Sequence, residues 1–410
     1  MRLKKRASIL MPLLLAAVSI TGCNSQGSPS GQTGQAGQAG EAASAGSGSS
    51  ATAKILIATQ SPLSGSQSAI GDSIKTGAEY ALRLQQDEFK QMGFDLQLFP
   101  QDDQADPKIG VTNAEMLVSN PDVLGVVGHF NTGVAIPASV KYETGSLVMV
   151  SPANSGVQLT EEGKKTVHRI CARDDAQGPK GAKYAKETLG VKSVFLLHDK
   201  TAYGQGLVDQ VKAQFEKDGV QVLGYEGVNQ GEKDYNFVIN QVVAKNPDLI
   251  YFGGIYPEAG ILVKQAREKG FKGVFMGGDG IDSPDLIKIA GPEAAEGVVF
   301  TSLAGDVKQT EEGRKWAEEY EKTMGKKPET YSVYAFDSMN VILNGIKQAI
   351  KANGGQKPTR EQVLEAVHKT KDFQGQFVKV SFDAKGDNQY ADVFIYKYEK
   401  DKTTFLGKIE

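Results

Sequence analysis

Nine short apolar runs, each followed by a longer stretch with helical spacing, constrain this chain more than any other feature. They begin at Ile55 (ILIAT), Leu96 (LQLF), Val123 (VLGVV) and Leu147 (LVMVS), and then at Ser193 (SVFLLH), Gln221 (QVLGY), Asp248 (DLIYFGG), Gly273 (GVFMGGD) and Gly297 (GVVFTS). Strands that are apolar without alternation are buried on both faces, and helices crossing between them supply the cover. The pattern therefore predicts an α/β fold with parallel sheets, and its restart at Ser193 predicts two of them. The intervening helices are legible as well. Gly71 to Met92 sets Ile74, Ala78, Ala81 and Leu82 on one face, and Asp106 is an N-cap followed by proline at the first helical position, Pro107.

Length agrees with two sheets, since Lys54 to Glu410 exceeds what one hydrophobic core usually serves. Beyond Ser302 the order changes to helices, at Glu311 to Met324, Tyr331 to Ala352 and Thr359 to Thr370. The closing stretches QFVKVSFD and YADVFIYKYEK alternate apolar and polar residues, as antiparallel or edge strands do. If the late helices return to the first lobe and the last strands close the second, several crossings join two Rossmann-like lobes. The expected division is 54–174 with 303–384 for the first lobe and 175–302 with 385–410 for the second. Such lobes can hinge about a cleft.

The first fifty residues differ sharply from the rest. Residues 1–22 carry Lys4, Lys5 and Arg6, then a short apolar core from Ile9 to Val18, then Ile20-Thr21-Gly22 ahead of Cys23, which is the order of a secretory signal. The apolar stretch is too short to span a bilayer. With Cys23 following small residues at the cleavage point, the segment resembles a bacterial lipoprotein signal, in which that cysteine receives a lipid. Asn24 to Ala53 contains no Leu, Ile, Val, Met or aromatic residue and cannot bury a core. Residues 23–53 are therefore expected to be a lipidated cysteine and a flexible tether, reaching about 30 Å as a Gly/Ser-rich chain. Removal of residues 1–22 takes away four cations and no anion, moving the formal charge from −3 to −7. No basic patch is evident, so nucleic acid is not an expected partner. The one other cysteine, Cys171, leaves no intrachain disulfide once Cys23 is lipidated.

In open parallel sheets a ligand lies beyond the carboxyl ends of the strands. The residues just after the apolar runs are polar: Ser61 to Gly65, Asn131-Thr132-Gly133, Ser151 to Gly156, Asp199 to Gly206, Gly253 to Glu258, and Asp279. Thr132 and Ser155 offer hydroxyls beside main-chain N–H groups at a helix start, which suits a small carboxylate, and Asp279 can meet a cation. An anion site and a cation site in facing lobes describe a zwitterion. Taken singly, Thr132 and Ser155 also read as simple N-caps, Asp279 as a turn residue, and Tyr203 and Tyr256 as loop aromatics. Composition and spacing alone reach a two-lobed α/β binding protein with an undetermined ligand.

Enzyme signatures are weak. No G-x-G-x-x-G lies at a strand-to-helix junction, and there is no P-loop. Gly71-Asp72-Ser73 matches one hydrolase signature but lacks a suitably placed histidine. The four histidines, His129, His168, His198 and His368, are not paired at metal-ligand spacing, so neither metal nor cofactor is expected.

From Lys54 to about Asp387 the chain resembles the leucine/isoleucine/valine-binding branch of bacterial solute-binding proteins, which serve ABC importers and have the type I periplasmic-binding fold. The matching stretches are PLSGSQSAIGDSIKTGAE, QDDQADPK, GVVGHFNTGVAIPAS, VSPANSGVQLT, HRICARDDAQGP, LLHDKTAYGQGL, GEKDYN, YFGGIYPEAG, FMGGDGIDSPDLIKIAG and EGVVFTS, in that order. The resemblance implies that Thr132 and the N–H of Ser155 hold the α-carboxylate of an amino acid, and that the Ser155 hydroxyl, the Ala153 carbonyl and Asp279 hold its ammonium. It also implies that Asn154 belongs to the same loop, that Tyr203 and Tyr256 wall the pocket from the second lobe, and that Asp174 or Asp175 lies at the first crossing between lobes.

Three departures bear on the ligand's side chain: Asp279 where relatives often have Glu, Ile70 where they have tyrosine, and Ile255 where they have an aromatic residue. Some relatives pair cysteines at the positions of Ala105 and Asn131, which this chain cannot do. The implied protein is no enzyme. It is a monomeric, extracytoplasmic receptor, attached to the membrane only through lipid on Cys23, that closes two lobes over an amino acid, branched-chain or otherwise apolar, and presents it to a membrane permease. A short amide, urea or an aromatic acid is the alternative ligand, and a sensor of the same fold is the alternative role.

Overall fold

The computed structural model describes residues 52–410. The predicted signal, Cys23 and nearly all of the predicted tether lie outside the described residues.

The first sheet holds β1 (Ala53–Ser61), β2 (Phe94–Asp102), β3 (Val123–Gly128), β4 (Met149–Ser151) and β5 (Val167–Arg169), in the spatial order β2-β1-β3-β4-β5 with every neighbour parallel. Four of these are the expected runs. The fifth, of three residues, carried too short an apolar signal to be read. Around the sheet lie α1 (Ser68–Gln91), α2 (Pro107–Ser119), α3 (Thr132–Thr144) and the four-residue α4 (Gln158–Glu161). α2 begins as its sequence dictates, with Asp106 accepting from the N–H groups of Lys108 at 2.7 Å and Ile109 at 3.3 Å. α1 starts earlier than the apolar period suggested, at Ser68.

The chain then crosses into α5 (Asp174–Glu187) and a second alternation: β6 (Ser193–His198), α6 (Ala202–Lys217), β7 (Gln221–Gly227), α7 (Asn236–Lys245), β8 (Leu249–Gly253), α8 (Tyr256–Glu268) and β9 (Val274–Gly277). A 3₁₀ turn at Asp279–Ile281, α9 (Asp285–Ala290), α10 (Pro292–Ala295) and β10 (Val299–Ser302) follow. The helices α11 (Glu311–Met324), α12 (Thr330–Ala352) and α13 (Arg360–His368) precede a two-stranded ribbon of β11 (Phe373–Gln374) and β12 (Lys379–Val380), then β13 (Phe394–Glu399) and β14 (Lys402–Lys408).

In space the second sheet reads β14-β13-β10-β9-β8-β6-β7. Its segment from β7 to β10 repeats the first sheet's order, and β13 and β14 add an antiparallel edge beyond β10. The α/β class with parallel sheets in two lobes is therefore as expected. β14 was not foreseen: LysThrThr gives it little apolar signal, and it forms because β13 offers an open edge.

α12 packs on the first sheet so closely that a Cβ on Gly125 of β3 would lie 2.7 Å from Ile342. α13 is pinned to the same lobe by Arg360, whose guanidinium donates to the carbonyls of Leu117, Val118, Asn120 and Val123. An ion-pair cluster ties the end of β5 and the start of α5 to the segment ahead of β13. Arg169, at the end of β5, meets Asp387 at 2.6 Å, and Arg173, ahead of α5, meets the other Asp387 oxygen at 2.8 Å.

Candidate functional site

Both sheets end at one cleft. A cavity of about 240 Å³ there is lined by residues that follow strands of both lobes: Ala105 and Pro107 after β2, Phe130 to Val134 after β3, Ala153 after β4, Thr201 to Tyr203 after β6, Gln230 after β7, Ile255 after β8, and Asp279 and Gly280 after β9. The switch of strand order, at β1/β3 in one sheet and β6/β8 in the other, places the openings face to face. The lobes touch across the cleft, since the Tyr256 hydroxyl donates to the Ser66 carbonyl at 2.6 Å.

On the first lobe the cavity meets the start of α3. Its N-cap, Asn131, places no side-chain hydrogen bond on the helix and donates its amide to Gln67 Oε1 at 2.8 Å instead. The first turn carries no acidic residue. Unfilled N–H groups and an uncompensated helix dipole thus open on the cavity beside Thr132, which is 2% exposed. The approach is tight, as a Cβ on Gly156 would lie 2.4 Å from the Thr132 methyl, so only glycine fits there.

Asn154 fixes this geometry without lining the cavity. It is wholly buried, accepts from the His129 N–H at 2.9 Å and the Ser151 hydroxyl at 2.8 Å, and donates to the Phe130 carbonyl at 2.8 Å. Arg169 holds the same loop from below through the carbonyls of Asn154 and Gly156.

On the second lobe the cavity meets Asp279, which is 3% exposed. One carboxylate oxygen accepts from Gln177 Nε2 at 3.0 Å and from the Tyr203 hydroxyl at 2.8 Å, and the other accepts from the Tyr331 hydroxyl at 2.9 Å. Burial pushes its pKa up, and those three neutral donors hold it down. No lysine or arginine pairs with it among the described residues. The net direction is upward, with burial the larger cause, and a cation set beside this desolvated carboxylate would favour its ionised form.

Of the residues singled out from sequence, Thr132, Ala153, Tyr203 and Asp279 line the cavity. Asn154 lies behind it as a brace. Ser155 is fully buried and its hydroxyl has no hydrogen-bond partner among the described residues. It stands three residues ahead of α4 rather than at a helix start. Tyr256 spends its hydroxyl on the interlobe contact, and its neighbour Ile255 faces the cavity. Ile70 is buried within α1, and Ala105 and Asn131 both line the cavity.

Sequence reasoning missed Phe130, Pro107, Gln230 and Tyr331. Pro107 and Gln230 follow runs to which the strand-end rule was not applied, and Phe130 was passed over because the rule was read for polar residues only. Tyr331 comes from α12, and no local signal marks it. Among the described residues no cluster of three or more His, Cys, Asp or Glu side chains could hold a metal ion.

Residues 54–403 match the family model described as periplasmic binding protein. The chain is 35% identical over 348 residues to the Leu/Ile/Val-binding protein homolog 2 of Brucella abortus, covering 85% of this chain and 91% of that one. It is 31% identical to the leucine-, isoleucine-, valine-, threonine-, and alanine-binding protein of Pseudomonas aeruginosa, covering 86% and 92%. The crystal structure of a leucine-binding protein from Thermotoga maritima superposes with a TM-score of 0.79 at 28% identity, covering 87% of this chain and 99% of that one. The chain belongs to the periplasmic binding protein family.

Proposed function

We propose that the protein is the solute-binding subunit of an ABC importer, working outside the cytoplasm and holding one free amino acid between its lobes. The observation that carries this reading is the pairing of an uncapped, acid-free helix start at Thr132 with an unpaired buried carboxylate at Asp279 across one cavity. A ligand with an anion and a cation on one carbon fits both at once. Phe130, Val134, Ala153, Ala202 and Ile255 give the remaining wall an apolar character suited to an aliphatic side chain. The relatives named for binding leucine, isoleucine and valine support the same ligand class.

In this reading the hydroxyl and N–H of Thr132 and the N–H of Ser155 hold the carboxylate, and the Ala153 carbonyl, the Ser155 hydroxyl and Asp279 hold the ammonium. Tyr203 closes over the ligand, while Asn154 and Tyr256 act one step removed. The lobes divide as 54–174 with 303–384 and 175–302 with 385–410. Closure excludes water, so each charge-assisted hydrogen bond contributes on the order of 1.5 to 3 kcal/mol.

Lipid on Cys23 anchors the monomer, and residues 24–53 tether it near its permease at high effective concentration. Mass spectrometry of the processed protein tests the anchor through a diacylglyceryl mass on Cys23.

A thermal-shift screen against amino acids, short amides, urea and aromatic acids tests the ligand class. A ligand at 100 times its Kd adds about 2.7 kcal/mol to stability. The expected winner is an aliphatic amino acid, and a screen won by an amide, urea or aromatic acid would overturn this assignment. A deletion strain that keeps normal amino-acid uptake would replace the importer role with that of a sensor.

A further inference from the structure

Asp174, the first residue of α5, lies where the chain first crosses between lobes. It is 1% exposed, and neither of its carboxylate oxygens has a hydrogen-bond partner among the described residues. Three neighbouring groups share that condition. They are the hydroxyl of Ser155, whose carbonyl accepts the Asp174 N–H at 2.9 Å; Oε1 of Gln177, one turn further along α5; and the hydroxyl of Tyr251 on β8. All three residues are fully buried. The shortage is of hydrogen atoms: both Asp174 oxygens and the Gln177 oxygen accept, and the unpaired neighbours bring only two hydroxyl hydrogens. One proton on Asp174 converts an acceptor into a donor and relieves the mismatch.

The charges around Asp174 favour the same state. Asp279 faces it from the turn after β9, and Asp175 adds to it from α5 itself. Arg169, at the end of β5, opposes them but is committed to Asp387. Tyr251 on β8, Tyr203 on α6 and Cys171 after β5 are the other titratable groups within reach of its charge. Burial first and the Asp279 charge second push the Asp174 carboxyl up to about 8, while the Ser155 hydroxyl and Arg169 pull it down. The hydroxyl lies near enough to do so without reaching hydrogen-bond geometry. When the lobes part about these crossings, water reaches the carboxylate and it titrates as an ordinary aspartate.

We propose that Asp174 is a proton-binding site coupled to ligand capture, ionised while the lobes are open and taking one proton from solvent as they close over the amino acid. The proposal rests on the lobe closure put forward under Proposed function. The ligand's ammonium at Asp279 offsets the second cause of the shift and leaves the first, burial, intact. The linkage has a definite sign. A carboxyl whose closed-state pKa exceeds its open-state pKa takes up a proton on binding between the two values, so affinity falls as pH rises through that window.

Calorimetric titration of the purified protein with L-leucine, or with the aliphatic amino acid that shifts its melting most, at pH 7 in two buffers of different ionisation enthalpy counts the protons. The expected result is uptake of a measurable fraction of one proton, with affinity falling as pH rises between about pH 6 and 8 by less than about tenfold per unit. In Asp174→Asn the uptake disappears and affinity no longer changes with pH across that range. Equal heats in both buffers with the wild-type protein, or uptake that persists in Asp174→Asn, would overturn the proposal. The wild-type count decides it even if the variant fails to fold. Absence of any amino-acid binding heat would instead count against the ligand assignment itself.

Discussion

The two lobes are built on one plan and finish it differently. β3 and β8 hold the same place in their sheets, and each runs into a helix whose N-cap makes no side-chain hydrogen bond. The helix after β8 carries an acid in its first turn, Glu258, which is 4% exposed, accepts from the Gly231 N–H at 2.9 Å through one oxygen, and has its pKa pushed up by burial. The helix after β3 has no acid in its first turn. The two helix starts are therefore unequal, one with an acid in its first turn and one without, and Asp279 is the second lobe's carboxylate at the cavity. Under the proposed function, this inequality is what orients the bound amino acid.

The most damaging change to that asymmetry is to make the lobes alike. Thr132→Asp gives α3 the acid that α8 already has and sets it where the ligand's carboxylate belongs. Like charges brought together cost several kcal/mol, so affinity measured by calorimetry should fall at least about a hundredfold. Retained affinity would mean that the carboxylate sits elsewhere.

Removing the opposite charge comes next. Asp279→Asn preserves the shape and discards the charge, and amino-acid affinity should drop at least about tenfold, from the loss of one charge-assisted hydrogen bond. Unchanged affinity would take Asp279 out of the site.

Much of this was readable before any coordinates, because burial on both faces writes itself into strands as unbroken apolar runs. ILIAT, VLGVV and DLIYFGG became β1, β3 and β8. Asp106-Pro107 announced the start of α2 through chemistry local to those two residues. The strand-end rule found Thr132, Ala153, Tyr203 and Asp279, since topology puts strand ends at the cleft whatever the loops contain. Tyr331 escaped it. This residue reaches Asp279 from 52 positions away, on a helix packed against the other lobe's sheet, and so long-range a hydrogen bond leaves no periodic trace. The partnerless state of Asp174 was equally hidden, because it depends on what three separate segments bring to one point.

A smaller effect sharpens the comparison further. Tyr331→Phe removes the only first-lobe donor to Asp279 among the described residues and should weaken binding by about 1 kcal/mol, roughly fivefold, as measured by calorimetry. An effect as large as that of Asp279→Asn would show that Tyr331 holds the ligand directly.

The smallest is a control on the first lobe away from the charge pair. Asp106→Ala removes the cap of α2 and should cost ~1 kcal/mol of unfolding free energy in a denaturant titration. Amino-acid affinity should stay within about twofold, as the exposed Asp106 side chain caps α2 and does not line the cavity.

The most direct measurement is a crystal structure of the protein soaked with its preferred amino acid. The expected result is a carboxylate resting on the N–H groups at the start of α3 and an ammonium in hydrogen-bond contact with Asp279. A ligand bound in the reverse orientation, or one that leaves Asp279 facing only Gln177, Tyr203 and Tyr331, would contradict the division of charge between the lobes.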